Sequence, residues 1–245
     1  MKRALFLVFT FLLTWLVAMV VTAPAPWLHG RIADRLPVTL TGIEGTLWHG
    51  RARSVQWNGR PLARLEWRWR PWRLLLADLE LGITLHSGAH LLEGAAGIGA
   101  GGAYLRELAG TLPAPLLGRL LKIEAPLEGE VVVDLEYLAN GEEGPEIEGT
   151  LAWREAALGG KKPIPLGEIL LEPDLEEGRR GLKIRDRGEG PLRLEGEITF
   201  DARGFHLDLL ATPRESADRQ LVTALKLAGR RERNGGYRIS YDGRM

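Results

Sequence analysis

The feature that most constrains this chain is a period of two. Leu65, Trp67 and Trp69 alternate with Glu66, Arg68 and Arg70. Leu79, Leu81, Ile83 and Leu85 alternate with Asp78, Glu80, Gly82 and Thr84, and Leu127, Val131, Val133, Leu135 and Tyr137 with Glu128, Glu130, Asp134 and Glu136. The same alternation runs through Ile147, Leu151 and Trp153, through Leu192, Leu194, Ile198 and Phe200, and through Tyr237, Ile239 and Tyr241. A strand with this pattern has one apolar and one wet face, which is how antiparallel sheets read. Strands of a parallel α/β sheet would be continuous apolar runs separated by helices. The expectation is a mainly β fold of roughly eight to eleven strands in a sheet of ordinary strand length.

Turn chemistry falls between the runs. Asn58-Gly59, Asn140-Gly141, Arg203-Gly204 and Asn234-Gly235-Gly236 each separate two alternating stretches, and Asn-Gly is a strong hairpin signal. Only two internal helices are expected. One lies over 115–122, carrying Leu116, Leu117, Leu120 and Leu121. The other lies over 215–228, with Leu221, Leu225 and Ala228 on one side and Ser216 as its cap.

A short pattern also recurs, with a glycine on the apolar face at Gly45, Gly110, Gly129, Gly149 and Gly196. Glycine there removes packing volume and lets a strand bend or bulge. The expected result is a curved, rolled or groove-like sheet with its apolar side concave, the alternative being chance in a chain with 31 glycines.

The N-terminal end follows a different rule. From Ala4 to Ala23 no residue is charged. About 20 residues at ~1.5 Å each match a hydrocarbon core of ~30 Å. Residues 4–23 are therefore expected to be a transmembrane helix, its anchoring side chains including Leu5, Phe6, Leu12, Trp15, Leu16 and Val20. Trp27 lies just past its end, as interfacial aromatics do. Lys2 and Arg3 place the tail, residues 1–3, on the cytoplasmic side, and the next basic residue is Arg31. A cleaved signal peptide, with Val21-Thr22-Ala23 as its cleavage box, is the rival. The apolar run exceeds the ~7–15 residues of a signal core, and Pro24 would follow the cut. Residues 24–37, with Leu28, Ile32 and Leu36 at helical spacing and Pro37 at the end, read as a juxtamembrane helix or linker. Residues 38–245 are then the exported β domain of a single-pass protein.

Composition excludes several chemistries. The chain has 245 residues and 32 basic against 32 acidic side chains, with no block of like charge, so no nucleic-acid partner is expected. It has no cysteine, which removes disulfides, thiolate nucleophiles and cysteine-ligated zinc. Gly97-Ile98-Gly99-Ala100-Gly101-Gly102 matches GxGxxG but lacks the strand–helix context of a dinucleotide site, so it reads as a flexible loop. His86 and His90 have i, i+4 spacing, yet Ser87-Gly88-Ala89 between them reads as a strand end and turn rather than a metal-binding helix. His49, after Trp48, sits in a tight turn. The carboxylates alternate with apolar residues as on a solvated sheet, and no glycosidase pair or nucleophile elbow stands out. No catalytic residue, metal or cofactor is assigned, and no enzyme is expected.

The run Trp67-Arg68-Trp69-Arg70-Pro71-Trp72-Arg73 is the most unusual segment. A core strand with snorkelling arginines explains part of it. Trp67, Arg68, Trp69, Arg70 and Trp72, with Tyr241 on the last strand, are also the candidate contacts for a partner or for phospholipid headgroups.

These residues resemble a known family. An N-terminal anchor is followed by Gly45-Thr46-Leu47-Trp48-His49-Gly50. Next come Leu65-Glu66-Trp67-Arg68-Trp69-Arg70-Pro71 with Leu74-Leu75, and finally Gly236-Tyr237-Arg238-Ile239-Ser240-Tyr241-Asp242-Gly243. The layout resembles protein N of the bacterial type II (general) secretion pathway. The resemblance implies a bitopic inner-membrane accessory component in a Gram-negative cell, with its C-terminal domain periplasmic and other secretion components as partners. It carries over no catalytic residues. The architecture is also similar to periplasmic β-groove proteins of the AsmA type, which makes lipid binding along the apolar face the alternative.

Overall fold

The computed structural model describes residues 39–57, 59–120, 126–141, 144–160, 163–174, 181–188, 190–201 and 204–244. The cytoplasmic tail, the transmembrane helix with its six anchoring side chains and the juxtamembrane helix expected from the sequence lie outside the described residues. Among the described residues no helix is long and apolar enough to cross a membrane. The described chain is mainly β and falls into two compact units that meet in sequence between Gly88 and Ala89.

The first unit is an antiparallel meander of β1 (Thr39–Gly45), β2 (His49–Trp57), β3 (Arg60–Trp69) and β4 (Leu79–Ser87), each strand paired with the next. The β1–β2 hairpin closes tightly at Gly45 opposite Gly50. The Thr46 amide donates to the His49 carbonyl (2.9 Å), and the His49 amide donates to the Thr46 hydroxyl (3.1 Å). His49 thus closes the turn as the first residue of β2. Between β3 and β4 the chain makes a 3-10 turn, Pro71–Leu76, where proline at the first position supplies the helical φ and lacks an amide that would otherwise go unpaired. Ala77 ends it in the left-handed region at φ 60°.

The second unit is also a sequential antiparallel meander. Its strands are β5 (His90–Gly99), β6 (Gly102–Pro113), β7 (Leu127–Gly141), β8 (Gly144–Leu158), β9 (Ile164–Asp174), β10 (Gly181–Asp186), β11 (Leu192–Asp201) and β12 (Gly204–Pro213). α1 (Ala114–Leu120) follows β6 and packs on β6 and β7. After β12 the chain forms α2 (Arg219–Ala228) and the two-residue β13 (Arg230–Arg231). It returns as β14 (Tyr237–Arg244), which pairs with β12 on one side and β13 on the other.

Fourteen strands are present among the described residues, more than the eight to eleven expected. The surplus has little alternation to reveal it. β5 is rich in glycine and alanine, β9 contains Pro165 and Pro173, and β10 and β13 are short. The 97–102 stretch is not a flexible loop either. Gly97 and Gly99 belong to β5, Gly99 pairs with Gly102, and Ala100-Gly101 is the hairpin turn. A side chain on Gly97 would run into the ring of Tyr104, which stacks on Tyr137 at 6.1 Å. Close approach of a ring, rather than of a phosphate, explains that glycine.

The recurrent apolar-face glycines are a structural device. Gly45, Gly110, Gly129 and Gly149 have φ of 95°, 141°, 104° and 118°, whereas Gly196 is outside the left-handed region and is constrained instead by the close Asp208 carbonyl. At Gly110 a Cβ would collide with the Leu91 carbonyl of β5, and at Gly149 with the Asp134 carbonyl of β7. The β7–β8 ladder slips by a bulge beside Gly129 and again beyond Leu135, whose partner is Gly149. The sheet of this unit curls with its apolar side inward. Gly144 of β8 approaches Phe200 of β11 across the two intervening strands, and the backbones of Gly167 and Gly190 meet.

α2 covers the apolar side of the later strands. Leu221 and Leu225 (2% and 6% exposed) sit on Ile169, Ile184, Leu192, Leu194, Ala211 and Tyr237. Each buried leucine of this kind contributes roughly 1.5–3 kcal/mol. Its cap is Asp218, whose carboxylate accepts from the Leu221 amide at 2.8 Å, not Ser216 as expected. Residues 215–216 instead form a turn closed by the Ala217 amide on the Arg214 carbonyl.

Gly149→Ala is expected to destabilise the protein by about 2 kcal/mol or more, from left-handed strain and the carbonyl clash together. Gly59→Ala, at φ 75° with open space around it, is expected to cost about 1 kcal/mol. Urea unfolding followed by circular dichroism measures both, and equal costs would mean that close backbone packing at Gly149 contributes nothing.

Candidate interaction surfaces

The Trp–Arg segment is divided by the fold into an inner and an outer part. Trp67 lies across Gly50, and its indole N–H donates to the Thr46 and Leu47 carbonyls at 3.2 and 3.1 Å. Trp69 packs on Trp48 with ring centroids 4.5 Å apart. These two tryptophans therefore hold the β1–β2 turn onto β3. Arg68 is exposed, and Trp72 is 55% exposed.

Arg70 does not simply snorkel. Its guanidinium meets Glu80 at 3.1 Å, and Arg73 meets the other oxygen of the same carboxylate at 3.1 Å and Asp78 at 3.2 Å. Glu80 is 1% exposed and Arg73 8%. This corrects the sequence reading, which put Glu80 on the wet face of β4. The signal was present as two arginines three residues apart, facing a carboxylate across the 3-10 turn. With its polar groups turned inward, the turn presents Trp72, Leu74, Leu75, Leu76 and then Leu79 outward. Backbone bonds from the Ala77 amide to the Leu74 carbonyl and from the Asp78 amide to the Arg73 carbonyl (3.0 and 3.1 Å) fix its shape.

In the second unit the wet face of β10–β14 forms a cleft of about 990 Å³. Its walls are mostly ion pairs, Arg238–Asp208 at 2.6 Å, Arg193–Glu195 at 2.7 Å and Arg214–Asp186 at 2.7 Å. Arg214 also donates to the Gly190 and Leu192 carbonyls at 2.8 and 2.7 Å, pinning the turn into β11. Burial alone would raise the Asp186 carboxyl. The Leu194 and Gly188 amides and Arg214 outweigh it and hold the group below the usual aspartate range. Arg238 does the same for Asp208. Three ion pairs thus hold much of the cleft's charge, and Lys183, Arg185, Glu197 and Glu232 also line it.

The histidines are dispersed. His86 is in β4 and His90 opens β5, joined through a turn. The His90 ring lies 3.2 Å from the Thr111 hydroxyl, and the His206 ring 2.7 Å from Asp242. Among the described residues no cluster of His, Asp and Glu could hold a metal ion.

At the far edge Tyr241 is 59% exposed and packs at a tilt against Phe205, with ring centroids 6.0 Å apart. β13 pairs with Tyr237 and Arg238 alone, so from Ile239 to Gly243 the outer edge of β14 has no strand beside it among the described residues. The sequence reading brought out Tyr241 and the Trp–Arg run. It missed the leucines of the turn, because they continue an apolar run that reads as core.

These features define a mainly β, antiparallel-meander protein whose outward chemistry is an apolar turn, paired charges and an open strand edge. The family model for type II secretion system (T2SS), protein N, matches residues 37–240, and the chain belongs to that family, a component of the type II secretion machinery. It is 34% identical over 177 residues to the type II secretion system protein N of Vibrio cholerae, covering 70% of this chain and 69% of that protein. It is 25% identical over 257 residues to the protein of the same name from Aeromonas hydrophila, along the full length of both. No solved structure matches.

Two outcomes follow from the ion pairs. Glu80→Ala leaves the buried Arg73 with Asp78 and the part-buried Arg70 without the Glu80 carboxylate, and is expected to cost about 3 kcal/mol, with faster hydrogen exchange at Ala77 and Asp78. Unchanged exchange there would show that the cluster does not hold the turn. Asp186 and Asp208 titrate lower folded than unfolded, where aspartate lies near about 3.9. Their stabilisation is complete above that value and is lost as pH falls through the folded values. The urea midpoint should drop below about pH 4, and Arg214→Met should reduce that dependence while costing about 1–3 kcal/mol.

Proposed function

We propose that this chain is a non-enzymatic accessory subunit of the type II secretion machinery, acting through protein contacts. Residues 4–23 cross the inner membrane once with the N-terminus cytoplasmic, and both described units lie in the periplasm. Family membership supports the machine, and the uncharged 4–23 run flanked by Lys2 and Arg3 supports the topology. The single observation that carries the mode of action is the open edge of β14. A row of unpaired backbone groups on an exposed strand is a template for a strand of another protein. Tyr241 lies on that edge and Arg68 on an exposed face of the first unit, as two separate contact points.

The alternative, a lipid groove along the apolar face, gains no comparable support. Of Leu81, Val133 and Leu194, which would line it, Val133 and Leu194 are 6% and 4% exposed and Leu81 is half-buried. Val133 is closed off by packing, and Leu194 borders a cleft walled mostly by ion pairs, which does not suit an acyl chain.

Photo-crosslinkers placed at Tyr241 and Arg68 in secreting cells are expected to capture another secretion-system component, with the Tyr241 adduct weakened by a proline at Ser240. Capture of none from either position would overturn the contact reading. Phospholipid adducts from Leu81, Val133 and Leu194 in the folded protein would replace it with the groove.

A further inference from the structure

The turn between β3 and β4 has a property that the proposed protein contacts leave unused. Trp72, Leu74, Leu75, Leu76 and Leu79 are 55%, 51%, 89%, 61% and 44% exposed. Contiguous exposed apolar groups mark an interaction site. This is not a frayed loop. Glu80, Arg70, Arg73 and Asp78 clamp it from beneath, and the Arg73 guanidinium lies 5.0 Å from the Trp72 ring centroid. The protein holds the leucines outward.

Charge identifies the occupant. Residues 39–88 contain seven arginines and four carboxylates, a net charge of +3, and all seven arginines fall between 51 and 73 with Glu66 as the sole acid among them. Residues 89–245 contain 21 basic and 27 acidic side chains, a net charge of −6. An anionic surface therefore attracts the first unit and repels the second. Tryptophan and leucine on a tip, with the exposed Arg68 on the strand that leads into it, are the composition of an interfacial membrane contact. Between Ala23 and Thr39 lie 15 residues, which can span at most roughly 50 Å even when fully extended.

We infer that the Trp72–Leu76 turn inserts into the headgroup layer of an anionic phospholipid bilayer, the one that residues 4–23 cross. The inference rests on the anchor reading given above. It adds a second, side-on membrane contact that sets the distance and tilt of the first unit.

The absence of cysteine makes the test direct. Single variants Leu75→Cys, Leu227→Cys and Leu12→Cys of the full chain are labelled with an environment-sensitive NBD fluorophore. They are then reconstituted into vesicles of phosphatidylethanolamine and phosphatidylglycerol. Leu75 and Leu227 are 89% and 86% exposed, so neither change disturbs a core. Nitroxide attached near the lipid headgroup is expected to lower emission at position 75 roughly twofold or more, as for a group seated ~5–10 Å into the interface, with little change at 227. Nitroxide deep in the acyl chains should quench position 12. Quenching at 12 without quenching at 75 overturns the inserted turn and leaves the anchor standing. No quenching at 12 removes the anchor, and quenching at 75 in that case still supports insertion. A blue-shifted but unquenched probe at 75 means that protein covers the turn, which also overturns the inference.

Discussion

A sheet with one apolar face has to cover that face, and the described structure follows from how it does so. In the second unit the strands curl, and α2 closes the inner side over Leu192, Leu194, Ala211 and Tyr237. Curling depends on places where two backbones come closer than a Cβ allows. Gly110 and Gly149 supply them, each against a neighbouring carbonyl. The glycines and the helix therefore act together, since a flat sheet would leave more apolar surface than ten residues of helix can cover. β14 returns antiparallel beside β12 after the chain has passed through α2 and β13.

The first unit treats apolar surface differently. Trp67 and Trp69 cover the β1–β2 turn from within, while Leu74–Leu76 stay outside, supported by an ion cluster around Glu80. A buried ion cluster is a poor source of net stability compared with apolar packing. It is a good way to fix the shape of a short turn, because each partner has a required direction. Spending buried charge on a turn whose tip is apolar makes sense if the tip has to meet something.

Much of this was legible in the residues. Period-two alternation marks β3, β4, β7, β8, β11 and β14, and the apolar-face glycines announce curvature. The legible helices are the two with leucines at helical spacing. What was not legible depended on contacts between segments. Glu80 alternates correctly for a wet face, and only Arg70 and Arg73 folding back over it make it a buried residue. β5 hides because Gly97 exists to admit the Tyr104 ring, so its strand character lies in its neighbour. Asp218 replaces Ser216 as the cap because Arg214 first closes a turn. The charge difference between the two units cancels in the whole chain and is visible only once their boundary is known.

The proposed arrangement is a membrane-tethered chain with both units on the periplasmic side. The most direct measurement is labelling of Ser240→Cys, on the exposed last strand, with a membrane-impermeant maleimide in cells whose outer membrane has been made permeable. Labelling before the inner membrane is opened, with the protein retained in the membrane fraction after alkaline extraction, is the predicted result. Labelling only after inner-membrane lysis, or release of the protein by alkali, would contradict it.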